Sequence, residues 1–238
     1  MKKVRVVLLS VLAMACAATW PVSASADILG LSLLIDGSGS MAAAEFTLQK
    51  TGYVNALTAQ LPIDGSVAIE VIQFSSSPNT LTAFALTLID SAADKTALLN
   101  AISGMNQIGL NTAIGPAIQL ATADLMGFAG LTKQIIDVST DGQGNVPNTT
   151  DQVTQASAAI AAGIDQVNAL CISGAALCNF TRGVGSFDMT VASFADFATA
   201  INQKIQIEIH GVPEPSTLLV VASGFLTWGA MAWRRRKH

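Results

Sequence analysis

Apolar runs of strand length alternate with stretches of helical periodicity, and this alternation constrains the fold more than any other feature. The runs ILGLSLLID (28–36) and VAIEVIQF (67–74) are too short for buried helices, and each is followed by turn-forming residues. Between them, apolar residues of segment 43–61 recur at helical spacings and form one buried stripe. This order predicts an α/β fold with a doubly wound, mostly parallel central sheet flanked by helices.

The same alternation continues through residue 209. The remaining predicted elements are a strand at 81–89, a helix at 93–105, a helix beginning near Thr112 with that residue as its N-cap, a strand within 134–142, a helix near 151–162, a strand at 164–172, a short strand near 187–191, and a last helix with Phe194, Phe197, Ile201 and Ile205 in register. Sheets of this kind bind ligands at the carboxyl ends of their strands, near the point where strand order reverses.

The first segment, 1–26, has the composition of a secretory signal peptide. Three basic residues near the start precede the apolar run VVLLSVLAMACAA, and an A-x-A cleavage pattern follows at 24–26. We expect cleavage after Ala26. A retained membrane anchor is the alternative, and the shortness of the apolar run disfavours it. Ala13 and Met14 depart from the residues that normally precede a lipoprotein cysteine such as Cys16.

The last segment, 212–238, contains a predicted membrane span. No side chain from Ser216 to Trp233 is charged, and a helix over 216–233 would be roughly 27 Å long, close to the thickness of a bilayer core. The basic tail RRRK at 234–237 follows at once, so the positive-inside rule places the C-terminus in the cytoplasm and the preceding domain outside it. One domain, 27–211, remains between the two end segments.

This C-terminal segment resembles the PEP-CTERM sorting signal in three features taken in order: Pro213-Glu214-Pro215, an apolar span and a terminal basic cluster. The resemblance implies recognition and removal by an exosortase-type membrane enzyme in a Gram-negative bacterium that makes exopolysaccharide. It also implies anchoring in the inner membrane before processing, then delivery to the envelope, the cell surface or the extracellular matrix. An ordinary C-terminal anchor would explain the span and the charges but not the Pro-Glu-Pro.

The domain between the end segments is strongly acidic. Residues 27–211 contain five basic and fifteen acidic residues, a net charge of about −10. Such a charge disfavours nucleic acid as a partner.

Cysteine and histidine usage narrows the chemistry further. Cys171 and Cys178 form an even pair in an oxidising compartment, so we expect a disulfide that closes a small loop. The histidines are His210 and His238, at or beyond the end of the domain. This placement disfavours a zinc site and a histidine-activated nucleophile.

Polar residues at three predicted strand and helix ends suggest a metal site. Asp36, Ser38 and Ser40 alternate in LIDGSGSM and can present oxygens to one point, while the intervening glycines permit a tight backbone. Thr112 precedes a helix, and Asp141 follows the strand that contains IIDVST. Together they make an all-oxygen ligand set of the kind that Mg²⁺, or else Mn²⁺ or Ca²⁺, prefers. DGSGS alone would equally suit a polar turn.

These residues resemble the metal-ion-dependent adhesion site (MIDAS) of the von Willebrand factor A (VWA) domain, a Rossmann-like fold. Asp36, Ser38 and Ser40 match its D-x-S-x-S motif, Thr112 in NTAIG matches its threonine, and Asp141 in STDG matches its aspartate. In that family the serines and the threonine contact the metal, and the aspartates bind it directly or through water. Several further segments resemble the bacterial subgroup DUF1194, namely KTGYVNAL, IDVSTDGQGN, IDQVNALCI and FADFATAINQKI.

The resemblance implies a binding module rather than an enzyme. We expect an exported adhesion domain whose cation accepts an acidic group of a protein ligand or of a glycan. A structural matrix protein with a stabilising metal and a metal-dependent hydrolase are the alternatives, and the hydrolase lacks an evident spare base.

Several other residues receive no role in this scheme. Asn111 stands before Thr112 where a glycine is common, which could change the angle of that loop. Asp137 lies inside a predicted strand, and no function is assigned to it. Asp188, Asp196 and Glu208 are interpreted as solvated charges.

Overall fold

The computed structural model describes residues 27–76, 80–142, 151–173 and 178–211, which contain six strands and five helices. The strands are β1 (Leu29–Asp36), β2 (Val67–Phe74), β3 (Leu81–Leu88), β4 (Lys133–Thr140), β5 (Gln166–Ile172) and β6 (Asp188–Val191). The helices are α1 (Ala43–Gln60), α2 (Ala92–Gly104), α3 (Ile114–Gly127), α4 (Gln152–Ala162) and α5 (Phe197–His210).

The strands form one sheet in the order β3-β2-β1-β4-β5-β6. All neighbouring pairs are parallel except β2 and β3, which are antiparallel. The chain builds outward from β1 to β3, then crosses back to place β4 on the other side of β1. The point where strand order reverses therefore lies between β1 and β4, and a ligand site is expected at their carboxyl ends. The predicted fold class is confirmed.

Two apolar layers cover the two faces of this sheet. Leu31, Leu33 and Ile35 of β1 pack in the layer that contains α1, α2 and α5, whereas Leu34 packs in the layer that contains α3 and α4. This alternation follows from the period of two in a strand, and β1 is buried along its whole length because both of its faces are covered. Each fully buried side chain of this kind contributes about 1.5–3 kcal/mol.

Helix α1 crosses α5 at close range. A Cβ on Gly52 would lie 2.8 Å from a ring carbon of Phe197, so the glycine allows the two helices to approach. The rings of Tyr53 and Phe197 pack beside it at a tilt of 59°, with 5.7 Å between their centroids. This contact holds α5 against α1, and Lys204 of α5 reaches Asp137 of β4.

Thr112 does not cap a helix, which corrects the prediction from sequence. Helix α3 begins at Ile114 after the N-cap residue Ala113, and no side chain bonds to that cap. Thr112 is one residue too early, and it is buried beside Gly142, where a Cβ would lie 3.7 Å from the Thr112 Oγ1. Its hydroxyl therefore faces the end of β4 instead of the first turn of the helix.

The end of β5 carries a disulfide. Cys171, in β5, is bonded to Cys178 with a Cα–Cα distance of 6.0 Å. This is the pair that the sequence predicts.

No helix in the described part of the chain is long and apolar enough to cross a membrane. The signal peptide predicted at 1–26 and the span predicted at 216–233 lie outside the described residues.

Candidate metal site

Asp36 is the last residue of β1, and its carboxylate is held from two directions. The backbone N–H of Ser38 donates to Oδ1 at 2.9 Å, and the hydroxyl of Thr140 donates to Oδ2 at 2.6 Å. Thr140 is the last residue of β4, so this second bond joins the carboxyl ends of the two strands at the switch point. Both side chains are fully buried.

A chain of hydroxyls continues from Asp36 toward the surface. The Oγ atoms of Ser38 and Ser40 are 2.9 Å apart, and the Ser40 hydroxyl donates to Oδ1 of Asp141 at 2.6 Å. Ser38 is buried, Ser40 is exposed and Asp141 is partly exposed. The oxygens thus run from the end of β1 to the residue after β4, with solvent access at the Ser40 end.

The loop that carries Thr112 is fixed against the β1 loop by backbone hydrogen bonds. Gly39 N donates to Leu110 O at 2.8 Å, and Gly109 N donates to Gly37 O at 2.8 Å. The amide of Gln107 adds a bond to Ser38 O at 2.8 Å. We name the rim the set formed by these two loops and the end of β4, with Asp36, Ser38, Ser40, Thr112, Thr140 and Asp141 as its oxygen-bearing side chains.

The two glycines of DGSGS are required by close neighbours. A Cβ on Gly37 would lie 2.1 Å from Nε2 of Gln73, and a Cβ on Gly39 would lie 3.1 Å from the backbone of Leu110. Neither glycine has a positive φ. The glycines therefore serve packing of the β1 loop against β2 and the Leu110 loop.

The electrostatics of the rim leave room for a cation. Burial raises the pKa of Asp36 to about 6, with a smaller contribution from Asp141, while hydrogen bonds from Thr140 and Ser38 act in the opposite direction. The ion pairs found in the described residues lie elsewhere, on Lys204. Two acidic groups thus share a rim that has hydroxyl partners but no cationic side chain paired with it.

The donor set fits a hard divalent cation. Carboxylate and hydroxyl oxygens are the ligands that Mg²⁺ and similar ions prefer, and a cation would offset the repulsion between Asp36 and Asp141. The described residues hold no group of three or more His, Cys, Asp or Glu side chains suited to a metal. A cation at the rim would therefore depend on serine and threonine oxygens as well as the two carboxylates.

Four of the five predicted ligands, Asp36, Ser38, Ser40 and Asp141, lie in one hydrogen-bonded chain. The fifth, Thr112, lies beside them at Gly142.

Sequence reasoning missed several residues that hold the rim together. Thr140 bonds Asp36, Gln49 Nε2 donates to Asp36 O at 2.9 Å, and the Ser75 hydroxyl donates to the carbonyls of Gly109 and Asn111. The position of Thr140 directly before Asp141, at the end of a buried strand, was an available signal. Gln49 and Ser75 gave none, because their contacts form only between elements distant in sequence.

Asn111 replaces a common glycine without opening the loop. Its carbonyl accepts the bond from Ser75 at 3.1 Å, and it is the preceding residue, Leu110, that has a positive φ of 70°. Leu110 is also 64% exposed next to the rim.

The prediction that Glu208 is a solvated charge is wrong. Glu208 is buried in α5 and bonds Lys204, which also bonds Asp137 of β4. The sequence hides this arrangement because Glu208 acquires its partners only when α5 packs on the sheet. Asp188 and Asp196 are exposed, as predicted.

Solved structures with the same fold include bacterial surface proteins and an animal matrix protein. The pilus adhesin SpaC from Lactobacillus rhamnosus GG is 17% identical with a TM-score of 0.62, over 78% of this chain and 30% of its own. The mussel byssus proximal thread matrix protein 1, with a zinc-occupied MIDAS motif, is 19% identical with a TM-score of 0.62. The match covers 79% of this chain and 47% of that protein. This chain thus spans about a third and about half of those two proteins.

A third structure matches nearly end to end. The vWF domain of the type V pili tip protein Mfa5 from Porphyromonas gingivalis is 12% identical with a TM-score of 0.62, over 82% of this chain and 99% of its own. At such identities the likeness establishes the VWA fold alone. No protein with curated annotation matches the sequence.

Two family models match the chain. Residues 211–237 match the PEP-CTERM protein-sorting motif, which is carried by exported, envelope-associated proteins and includes the predicted Pro213-Glu214-Pro215. Residues 27–213 match the model described as protein of unknown function (DUF1194). The chain, with its VWA fold and C-terminal sorting motif, therefore belongs to the DUF1194 family.

Proposed function

We propose that this protein is an exported adhesion or matrix module that binds an acidic group of its partner through a divalent cation at the rim. The observation that carries the proposal is the hydrogen-bonded chain of carboxylates and hydroxyls across the ends of β1 and β4, with no cationic side chain paired to it in the described residues. The proposed ligands are Asp36, Ser38, Ser40, Thr112 and Asp141.

The proposed carboxylate and hydroxyl ligands would have different roles in binding the cation. Asp36 and Asp141 match the charge of one divalent cation, and the three hydroxyls add oxygens without adding charge. A bound Mg²⁺, Mn²⁺ or Ca²⁺ would supply Lewis acidity toward a carboxylate of a protein partner or of an acidic glycan. Thr140 holds Asp36 in place, while exposed Ser40 and Leu110 border the surface that the partner would reach.

The two ends of the domain lie away from this surface. Asp27 and Gly211 line one cavity of about 440 Å³, together with Ser66 and Lys133 at the amino ends of β2 and β4. Gly211, where the match to the sorting motif begins, therefore lies on the side of the sheet opposite the rim. An anchor at that end would present the rim outward, which suits a binding module at an envelope or in a matrix.

Processing follows from the sorting motif. We propose that an exosortase-type enzyme removes the C-terminal segment after the predicted span at 216–233 has held the protein in the inner membrane. Release would deliver the domain to the envelope, the cell surface or the extracellular matrix.

A structural role in a matrix is the second candidate. The mussel thread protein is named as a matrix protein, and one of its structures has a zinc-occupied MIDAS motif. In this version the cation would stiffen the rim without recruiting a partner. Hydrolysis is not proposed, because Asp36 and Asp141 are both engaged by hydroxyls, and His210 bonds the carbonyl of Gln60 at the opposite end of the sheet.

Calorimetric titration of Mg²⁺, Mn²⁺ and Ca²⁺ into the purified protein tests the cation. We expect saturable binding that is lost in Asp36→Ala and Thr112→Ala and retained in the control Asp90→Ala, whose carboxylate is exposed. Absence of binding in the wild type would contradict the metal site.

Binding to exopolysaccharide and surface proteins of the native host, with and without a chelator, separates the two roles. Chelator-sensitive binding that Asp36→Ala abolishes supports adhesion. Metal stabilisation without a saturable partner supports the matrix role.

A further inference from the structure

A lysine and two carboxylates form a closed group between β4 and α5, apart from the rim. We name Asp137, Lys204 and Glu208 the acid–lysine cluster. The Lys204 ammonium contacts Oδ1 of Asp137 and lies 2.6 Å from Oε1 of Glu208, and all three side chains have no solvent exposure. The phenyl ring of Phe187 covers the lysine, with its centroid 5.5 Å from Nζ.

Two carboxylate oxygens of the acid–lysine cluster lack hydrogen-bond partners among the described residues. Oδ2 of Asp137 and Oε2 of Glu208 are buried and have no hydrogen-bond partner among the described residues. Burying charge is expensive unless every charged atom is paired, and here one cation faces two anions. A neutral product that uses the lysine and one carboxyl would relieve this cost.

Hydrogen bonds hold the Glu208 carboxyl group next to the Lys204 amine, where it can accept and return a proton. The amide of Asn168 donates to Oε1 of Glu208 at 2.9 Å, and its carbonyl oxygen accepts from the backbone N–H of Phe187 at 3.0 Å. The second bond fixes which end of the Asn168 amide faces Glu208. Burial and nearby Asp137 raise the pKa of Glu208 to about 7, against the opposing effect of Lys204, so this carboxyl can both take and return a proton near neutral pH.

We propose that Lys204 and Asp137 condense to an intramolecular isopeptide bond, with Glu208 as the catalytic acid and base. The ammonium first passes a proton to the Asp137 carboxylate that it contacts, which leaves an amine beside a carboxylic acid and removes two charges from a site without solvent exposure. Lys204 Nζ then attacks Cγ of Asp137.

The remaining steps balance without any other reactant. Glu208 takes a proton from the attacking nitrogen and gives it to the leaving hydroxyl of Asp137. One C–N bond forms, one C–O bond breaks, and one water molecule leaves. Glu208 is also one of the residues that line the cavity beside Asp27 and Gly211.

Asp137 is a better acceptor than Asn168 in this arrangement. Both polar atoms of the Asn168 side chain are engaged, by Glu208 and by Phe187, whereas Lys204 touches Asp137 directly. The bond would tie α5, which leads to the sorting motif, to the strand that ends at the rim. The chemistry does not depend on metal binding or on the proposed function.

Mass spectrometry of the full-length protein after reduction and trypsin digestion tests the bond. Lys204 is the tryptic site between Arg182 and Arg234. We expect segment 134–182 to remain linked to the segment that begins at Gly183, with the pair lighter than its summed sequences by one water molecule and fragmentation placing the link at Asp137 and Lys204. Separate peptides 134–182 and 183–204, with cleavage after Lys204, would overturn the proposal. Loss of one ammonia with a link at Asn168 would also overturn it.

Three variants sharpen the test. Lys204→Arg keeps a cation in the cluster but removes the amine, and Glu208→Gln keeps the shape but removes the proton carrier. We expect both to give separate peptides while circular dichroism remains that of the wild type. Lys133→Arg, outside the cluster, is the control and should keep the link. A link that persists in folded Glu208→Gln would contradict the role of Glu208.

Discussion

Two groups of acidic side chains share strand β4, and their surroundings differ in one respect. Asp137, in the middle of the strand, contacts a buried lysine, whereas Asp141, just past its end, contacts a serine hydroxyl and is near a second carboxylate. The acid–lysine cluster is closed because the amine that its carboxyl groups contact is part of α5. The rim has hydroxyls where the cluster has a lysine, and among the described residues no cationic side chain forms an ion pair with it. The proposed cation would supply this missing counter-charge from solution.

Removal of the Lys204 side chain should have the largest effect. Lys204→Ala leaves Asp137 and Glu208 buried without the group that joins them, and we expect a loss of about 3–5 kcal/mol in the free energy of unfolding. Urea denaturation measures it, with Lys133→Ala as the control. A change below about 1 kcal/mol would mean that the cluster contributes little to stability.

Addition of Mg²⁺ tests the rim in the same way, through its effect on the free energy of unfolding. Mg²⁺ at about 100 times its dissociation constant should raise the free energy of unfolding by about 2.7 kcal/mol. Asp36→Asn should lose this gain, because it removes one of the two charges at the rim, and Asp90→Asn should keep it. Thermal or urea unfolding with and without metal measures the difference. An equal gain in both variants would place the cation elsewhere.

Thr140→Val tests whether the hydroxyl network holds Asp36. The substitution keeps the shape of the side chain but removes the bond to Oδ2 of Asp36, and we expect a loss of about 2 kcal/mol together with weaker metal binding. Thr140→Ser retains the hydroxyl and should stay near the wild type. Unfolding and calorimetric titration of both variants measure this effect. Equal behaviour of the two would remove Thr140 from the site.

Glu70 is a third kind of buried carboxyl group. It contacts neither a lysine, as in the acid–lysine cluster, nor a set of hydroxyls, as at the rim. Burial, with a contribution from Asp124, raises its pKa from 4.5 to about 8, while Ser32 acts in the opposite direction. Below pH 4.5 it is protonated in both the folded and the unfolded chain. Between about pH 4.5 and 8 the unfolded chain releases a proton that the folded protein keeps, so stability falls as pH rises, by at most about 1.4 kcal/mol per pH unit.

Glu70→Gln removes this dependence. We expect the variant to be more stable than the wild type at pH 8 and to differ little from it at pH 4.5. Urea denaturation across that range measures the difference. The same slope in both proteins would assign the pH dependence to another group.

The sequence was sufficient for most of the architecture and for the first part of the rim. Strand and helix periodicities gave the order of the elements because they reflect local geometry, and alternation in DGSGS placed Asp36, Ser38 and Ser40 on one side. The prediction that Thr112 caps a helix was wrong, whereas its role as a metal ligand stays a prediction. A threonine just before a helix fits an N-cap by local pattern, but here packing starts the helix later and turns the hydroxyl toward β4.

By itself the sequence determined that the domain is an α/β protein with a mostly parallel sheet, and it predicted that an acidic domain disfavours nucleic acid and that DGSGS, Thr112 and Asp141 lie together. Only the tertiary structure decided that Thr140 bonds Asp36 and that Asp137, Lys204 and Glu208 form a buried cluster. The physical reason is separation along the chain. Periodicity records which face of an element is buried, whereas a bond between β4 and α5 depends on how two distant elements pack against each other.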